Sequence, residues 1–186
     1  MKRYTAIWAA ILGVSVISVI TVSWVLYSVV FAKENSYGEV NKMDIQTFRS
    51  SIKTDADWLK VSDETWKSVL SPEAYHILRG KGTELACSGK FDKFKQDGVF
   101  RCGACGLELF HSEKKFDSGT GWPSFVSPIK GNIINHEDKS FGMTRIEVRC
   151  RRCHSHLGHV FDDGPPPTGL RYCINSAALE FDPNTK

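Results

Sequence analysis

Met143-Thr-Arg-Ile-Glu-Val-Arg-Cys-Arg-Arg-Cys153 alternates over its first seven residues and closes on a Cys-x-x-Cys pair. Thr144, Ile146 and Val148 interleave with Arg145, Glu147 and Arg149, the period of a strand with one buried face. Upstream, Val99-Phe-Arg-Cys-Gly-Ala-Cys105-Gly106 repeats the pattern, a strand running into a second Cys-x-x-Cys turn. Four thiolates at this knuckle spacing satisfy one tetrahedral zinc completely, leaving no open position for chemistry. Cys102, Cys105, Cys150 and Cys153 are therefore expected to hold one structural zinc. The 44 residues between Cys105 and Cys150 exceed a compact finger, so the metal would join the ends of two hairpins. The alternatives are two disulfides, each closing a very small loop that constrains the unfolded chain little, or a dithiol redox motif.

Turn signals recur every ten or so residues beyond Gly80, at Gly82, Ser88-Gly89, Asp97-Gly98, Gly103, Asp117-Ser-Gly119 and Lys130-Gly-Asn132. Short strands between turns predict a mainly β domain over 61–183. Ser71-Pro72-Glu73 predicts a short helix on its N-terminal side, with Gly80 placed to stop it. Residues 33–60 are polar without sustained periodicity and read as a linker.

From Tyr4 to Ala32 the chain has no Asp, Glu, Lys, Arg or His, a run of 29 residues. About 20 apolar residues cross a bilayer, so 1–32 is expected to be a single transmembrane anchor, with a cleaved signal peptide as the alternative. A weak Lys and Arg bias around the run favours a cytoplasmic N-terminus and an extracytoplasmic domain. Residues 1–32 contribute only Lys2 and Arg3, so the remainder carries 22 basic and 21 acidic residues. Near-neutrality argues against general nucleic-acid binding. Arg149, Arg151 and Arg152 read as a solvated rim around the second knuckle.

A fifth cysteine, Cys173, stands outside both pairs in Arg171-Tyr-Cys-Ile-Asn-Ser-Ala177. Leu170 to Phe181 is expected to be one strand projecting Arg171, Cys173 and Asn175 on one side. A cation beside the sulfur favours the thiolate. His156 and His159, in His156-Leu-Gly-His-Val-Phe-Asp-Asp-Gly164, would bring imidazoles able to move a proton near neutrality. The competing reading is a buried structural cysteine with histidines bracing the knuckle.

Together with Gly119-Thr-Gly-Trp-Pro-Ser-Phe125, these blocks resemble the signatures of the methionine-R-sulfoxide reductase family, in its zinc-containing form, over about 62–182. The resemblance implies two antiparallel sheets and thiol-dependent reduction of methionine-R-sulfoxide in oxidised proteins or peptides. It implies that Cys173 attacks the sulfoxide sulfur and becomes a sulfenic acid, while His159, with His156 nearby, supplies or relays the proton. Trp122 would face the substrate's S-methyl group, and Asn175 and Arg171 would hold the polar end of the site. Some members carry a resolving cysteine where this chain has Thr120. Cys87 is the remaining candidate, closing a Cys87–Cys173 disulfide that a thioredoxin-like protein reduces. The rival is an anchored zinc module that binds a partner and catalyses nothing.

Overall fold

The computed structural model describes residues 43–184. Four short helices come first: α1 (Ile45–Ser51), α2 (Asp55–Trp58), α3 (Asp63–Val69) and α4 (Pro72–Leu78). The last begins as its sequence predicts. The Ser71 hydroxyl accepts from the Ala74 amide at 3.1 Å, and Gly80 N–H closes on Tyr75 C=O at 3.1 Å.

Among the described residues, nine strands follow in two antiparallel sheets. β1 (Gly98–Cys102), β2 (Glu108–His111) and β9 (Leu179–Pro183) form a three-stranded sheet in the order β2-β1-β9. β3 (Lys115–Phe116), β4 (Ser124–Phe125), β5 (Ile133–Asp138), β6 (Arg145–Cys150), β7 (His156–Phe161) and β8 (Arg171–Ile174) form the other, in the order β3-β4-β8-β7-β6-β5. The core lies between the sheets. Phe110 of the first stacks on Phe125 of the second, ring centroids 4.3 Å apart, and Phe100 meets Phe125 edge-on at 5.1 Å. Each such buried ring contributes roughly 2–3 kcal/mol.

Three expectations are corrected. The described part of the expected linker, 43–60, is folded onto the domain. Asp44 caps α1 by accepting from the Gln46 and Thr47 amides, and Phe48 and Trp58 pack on Trp66 with centroids 5.4 and 6.0 Å apart. A seven-residue helix is not stable alone, so this aromatic cluster holds it. Only one residue of each of these helices is buried, Phe48 and Trp58, too few to make a periodic stripe.

The β6 pattern is also only half right. Val148 is in the core, but Ile146 is 37% exposed while Glu147, on the expected polar face, is 2% exposed. Its carboxylate is satisfied there by Lys81, Arg149 and His156. Finally, Leu170–Phe181 is not one strand. β8 ends at Ile174, a 3-10 turn spans Ser176–Ala178, and β9 continues in the other sheet. The Glu84 carboxylate breaks the run by accepting from the Ser176 and Ala177 amides at 2.5 and 3.0 Å.

The expected anchor, 1–32, lies outside the described residues. Among those described, no helix is long and apolar enough to cross a membrane.

Candidate active site and metal centre

The two knuckles share one hydrogen-bond plan. Gly106 N–H donates to Cys102 C=O at 2.8 Å, and His154 N–H donates to Cys150 C=O at 2.9 Å. Both residues need positive φ, +73° for Gly106 and +56° for His154. The second knuckle thus does without glycine, at a cost of about 1–2 kcal/mol for a left-handed residue. Each knuckle ends a strand, Cys102 on β1 and Cys150 on β6, so the sulfurs meet where the sheets converge.

Sγ of Cys102 lies 3.7 Å from Cys153, and Cys105 lies 3.5 Å from Cys150. All four buried sulfurs fall within 4.8 Å of one another. A tetrahedron of Zn–S bonds near 2.3 Å has edges of about 3.8 Å, whereas a disulfide would need about 2.05 Å. The donors fit a closed thiolate site.

The N-terminal helices clasp this centre. Arg49 donates to Ala104 C=O at 3.0 Å and Gly103 C=O at 2.8 Å while gripping both oxygens of Glu180. Arg79 donates to Cys153 C=O at 3.2 Å. The arginines expected to form a solvated rim have partners: Arg151 and Arg152 pair with Asp55, and Arg149 with Glu147.

Cys173 belongs to a different face. Across the six-stranded sheet the register sets His136, Glu147, His159, Cys173 and Ser124 directly opposite one another, strand by strand. Opposite residues in antiparallel strands share a face, so one row carries a carboxylate, an imidazole and a thiol. His156, three residues before His159, would point the other way in a regular strand. A bulge between β6 and β7, where Val148 opposes Gly158 but Arg149 opposes His156, returns it to the same face.

Trp122, Arg145, His159, Phe161, Cys173 and Asn175 line a cavity of about 160 Å³ over this row. Larger clefts of about 440 and 470 Å³ lie elsewhere, but contain neither Cys173 nor the imidazoles.

His156 is not in the cavity lining. It is 3% exposed, with Nδ1 2.9 Å from Glu147 Oε1 and Nε2 without a partner. Burial pushes the Glu147 carboxyl up, but Arg149, His156 and Lys81 outweigh it and bring it down to about 2. Burial, partly offset by Glu147, lowers His156 and keeps it neutral at pH 7. An ionised carboxylate only accepts, so His156 Nδ1 carries the hydrogen.

Arg171 acts on the Cys173 sulfur in the expected direction, but it is shared with an acid. Its guanidinium is held by Asp163 in two bonds of 2.8 Å. Burial pushes the Cys173 thiol above the ordinary cysteine value; Arg171 and Thr120 pull the other way without cancelling it, and Asp163 adds to the rise. The resting sulfur is therefore a thiol rather than the expected thiolate. Removing Asp163's charge frees Arg171 for the sulfur and removes an anion that opposes its ionisation. Asp163→Asn is expected to move the pH midpoint of Cys173 alkylation downward by up to about one unit. An unmoved midpoint would assign the rise to burial alone.

Asn175 acts as a brace as well as a donor. Its Oδ1 accepts from Glu84 N–H at 3.1 Å and its Nδ2 donates to Leu157 C=O at 3.0 Å, leaving one N–H. Trp122 Nε1 donates to Glu84 C=O at 3.1 Å. Glu84 thus ties the indole, the amide and the 3-10 turn together, a role without any local signal in the sequence. Asp138, Glu147 and Asp163 were likewise not legible as site residues, because their partners are distant in sequence or set by register.

Cys87 is exposed, with φ of +63°, on the loop that Glu84 anchors. Its N–H donates to Gly121 C=O at 2.8 Å, and a side chain at Gly121 (φ +89°) would collide with Cys87. The neighbouring Thr120 hydroxyl interacts with the Cys173 sulfur. The Cys87 loop therefore rests on the turn that covers the reactive thiol.

Cys173, outside the four-cysteine cluster, lies opposite His159 in register, and both line a cavity with Trp122, an arrangement that can support thiol chemistry. Residues 70–183 match the SelR domain. The chain is 59% identical over 124 residues to the peptide methionine sulfoxide reductase MsrB of Methanosarcina mazei, covering 66% of this chain and 89% of that protein. It is 54% identical over 130 residues to the protein of the same name in Pseudomonas syringae pv. syringae, covering 69% and 99%. To that of Leptospira interrogans it is 55% identical over 121 residues, covering 64% and 92%. The chain belongs to the SelR family of methionine-R-sulfoxide reductases and is an oxidoreductase.

Proposed function

We propose that this protein reduces methionine-R-sulfoxide in oxidised proteins and peptides through a Cys173 sulfenic acid. The observation that carries the reading is the placement of Cys173 directly opposite His159 in a cavity walled by Trp122, away from the metal thiols. The indole packs against the S-methyl group of the substrate. His159 receives the Cys173 proton as the sulfur attacks and returns it to the sulfoxide oxygen, which is a poor electrophile's leaving group until protonated. A Cys S–O bond forms and the substrate S–O bond breaks; the sulfoxide gains two electrons and Cys173 loses them. His156, braced by Glu147, supports the second imidazole from behind.

Cys87 then attacks the sulfenic acid. The S–S bond forms, the sulfenic oxygen leaves as water, and a thioredoxin-like dithiol reduces the disulfide. Support comes from the seat of the Cys87 loop on Gly121, one residue from Thr120. After one equivalent of R-sulfoxide, peptide mapping is expected to find a Cys87–Cys173 disulfide in the wild type. In Cys87→Ser a dimedone-reactive sulfenic acid should accumulate, with thioredoxin-driven turnover reduced at least about tenfold. Unchanged thioredoxin-driven turnover in Cys87→Ser would remove Cys87 from the cycle.

One zinc, held by Cys102, Cys105, Cys150 and Cys153, fastens the two sheets and takes no part in chemistry. The uncharged run from Tyr4 to Ala32 supports a membrane anchor, and the weak Lys and Arg bias around it favours the reductase outside the cytoplasm. Membrane fractionation and protease access to the domain test that placement.

A further inference from the structure

His159 is gripped by a residue no local pattern marks. Asp138 ends β5, two strands away, and His159 reaches across β6 between Arg145 and Glu147 to meet it. His159 Nε2 lies 2.9 Å from Asp138 Oδ2. The same oxygen accepts from Arg145 at 2.8 Å, and Oδ1 accepts from the Ser140 amide at 3.0 Å. Around the ring stand Glu147 on β6, His156 on β7, and Cys173 and Arg171 on β8. Of these, Glu147 is taken by Lys81, Arg149 and His156, and Arg171 by Asp163. Asp138 is the partner bonded to the ring itself, and both groups are largely buried, His159 12% and Asp138 18% exposed in their side chains.

From this geometry we infer that Asp138 is a positioning residue that fixes His159 as the Nε2–H tautomer, making Nδ1 the nitrogen that handles the proton of the reaction. The inference rests on the reading of His159 as the proton carrier. Ser140, through its hydroxyl and then its amide, His159 and Arg145 hold the Asp138 carboxyl far below the usual carboxylate range. An ionised carboxylate can only accept, so Nε2 must donate. Nδ1 is left with a lone pair on the side of the ring not committed to β5. It accepts the hydrogen of the Cys173 thiol as that sulfur attacks, and gives the same hydrogen to the sulfoxide oxygen. No proton is drawn from outside the pair. A carboxylate that orients an imidazole in this way governs tautomer as well as angle, as in hydrolytic triads.

The test reads the tautomer directly, by imidazole nitrogen resonances of the reduced full-length protein, with His159→Asn assigning the signal. The expected result is His159 as Nε2–H in the wild type. Asp138→Ala removes the acceptor, lets Nδ1–H populate, and slows single-turnover reduction by on the order of 10²-fold with little change in sulfoxide binding. Asp138→Glu, which keeps the acceptor, should restore the tautomer and most of the rate. A wild-type Nδ1–H signal, or an Asp138→Ala rate within about twofold of wild type, overturns the inference. The wild-type spectrum decides even if a variant fails to fold. Should His159→Asn itself react at the wild-type rate, the proton-carrier reading falls. If His159→Asn is slow while Asp138→Ala is not, only the positioning role of Asp138 falls.

Discussion

Cys173→Ser is expected to lose reduction of the R-sulfoxide by at least about 10³-fold, to background in a dithiol-driven assay with separated epimers. A serine hydroxyl fits the space but cannot form the sulfenic acid that conserves the two electrons. The substitution leaves the metal thiols untouched, so metal content and thermal midpoint should stay near wild type. That combination separates loss of the nucleophile from loss of the fold. Residual turnover above about one tenth would mean that another sulfur performs the attack. Wild-type turnover of the S-epimer alone would overturn the stereochemical assignment.

The second large effect concerns the metal. Cys102→Ser, or the same change at Cys105, Cys150 or Cys153, is expected to abolish stoichiometric zinc and unfold much of the domain. Binding of a structural zinc by four cysteines is worth roughly 10–16 kcal/mol in apparent free energy at neutral pH. The net stability of a domain is about 5–15 kcal/mol. The difference leaves little folded protein once the site is lost. Metal analysis beside a thermal melt provides the check. Stoichiometric zinc in Cys102→Ser, or none in the purified wild type, would remove the assignment.

What was legible beforehand followed from how local each signal is. A Cys-x-x-Cys turn announces itself within four residues, and a capped helix such as α4 within ten. The gathering of the four cysteines and the Ser71 cap therefore matched expectation. Cys173 stood out by elimination, because the other thiols were committed or set in a polar loop. Register, by contrast, is a property of two strands. Nothing within β7 reveals that a bulge turns His156 to the side of His159, or that His159 reaches over β6 to Asp138. The linker expectation failed for a related reason. Phe48 and Trp58 are isolated in polar surroundings, and their burial depends on Trp66, which only the folded chain brings to them. Arg49 has no local signal of its role, because its partners, the carbonyls of Ala104 and Gly103, lie 55 and 54 positions away in the chain.

The passage from β8 through the 3-10 turn into β9 has a consequence for damage. Cys173 sits on the first of these strands, and the second is zipped to β1, where Leu179 faces Cys102. One short stretch of backbone therefore ties Cys173 to the four-cysteine cluster. An oxidant strong enough to break up a zinc-loaded cluster is expected to unseat Cys173 as well, so that the enzyme fails as a unit. Silent demetallated molecules, folded yet miscatalysing, should not accumulate.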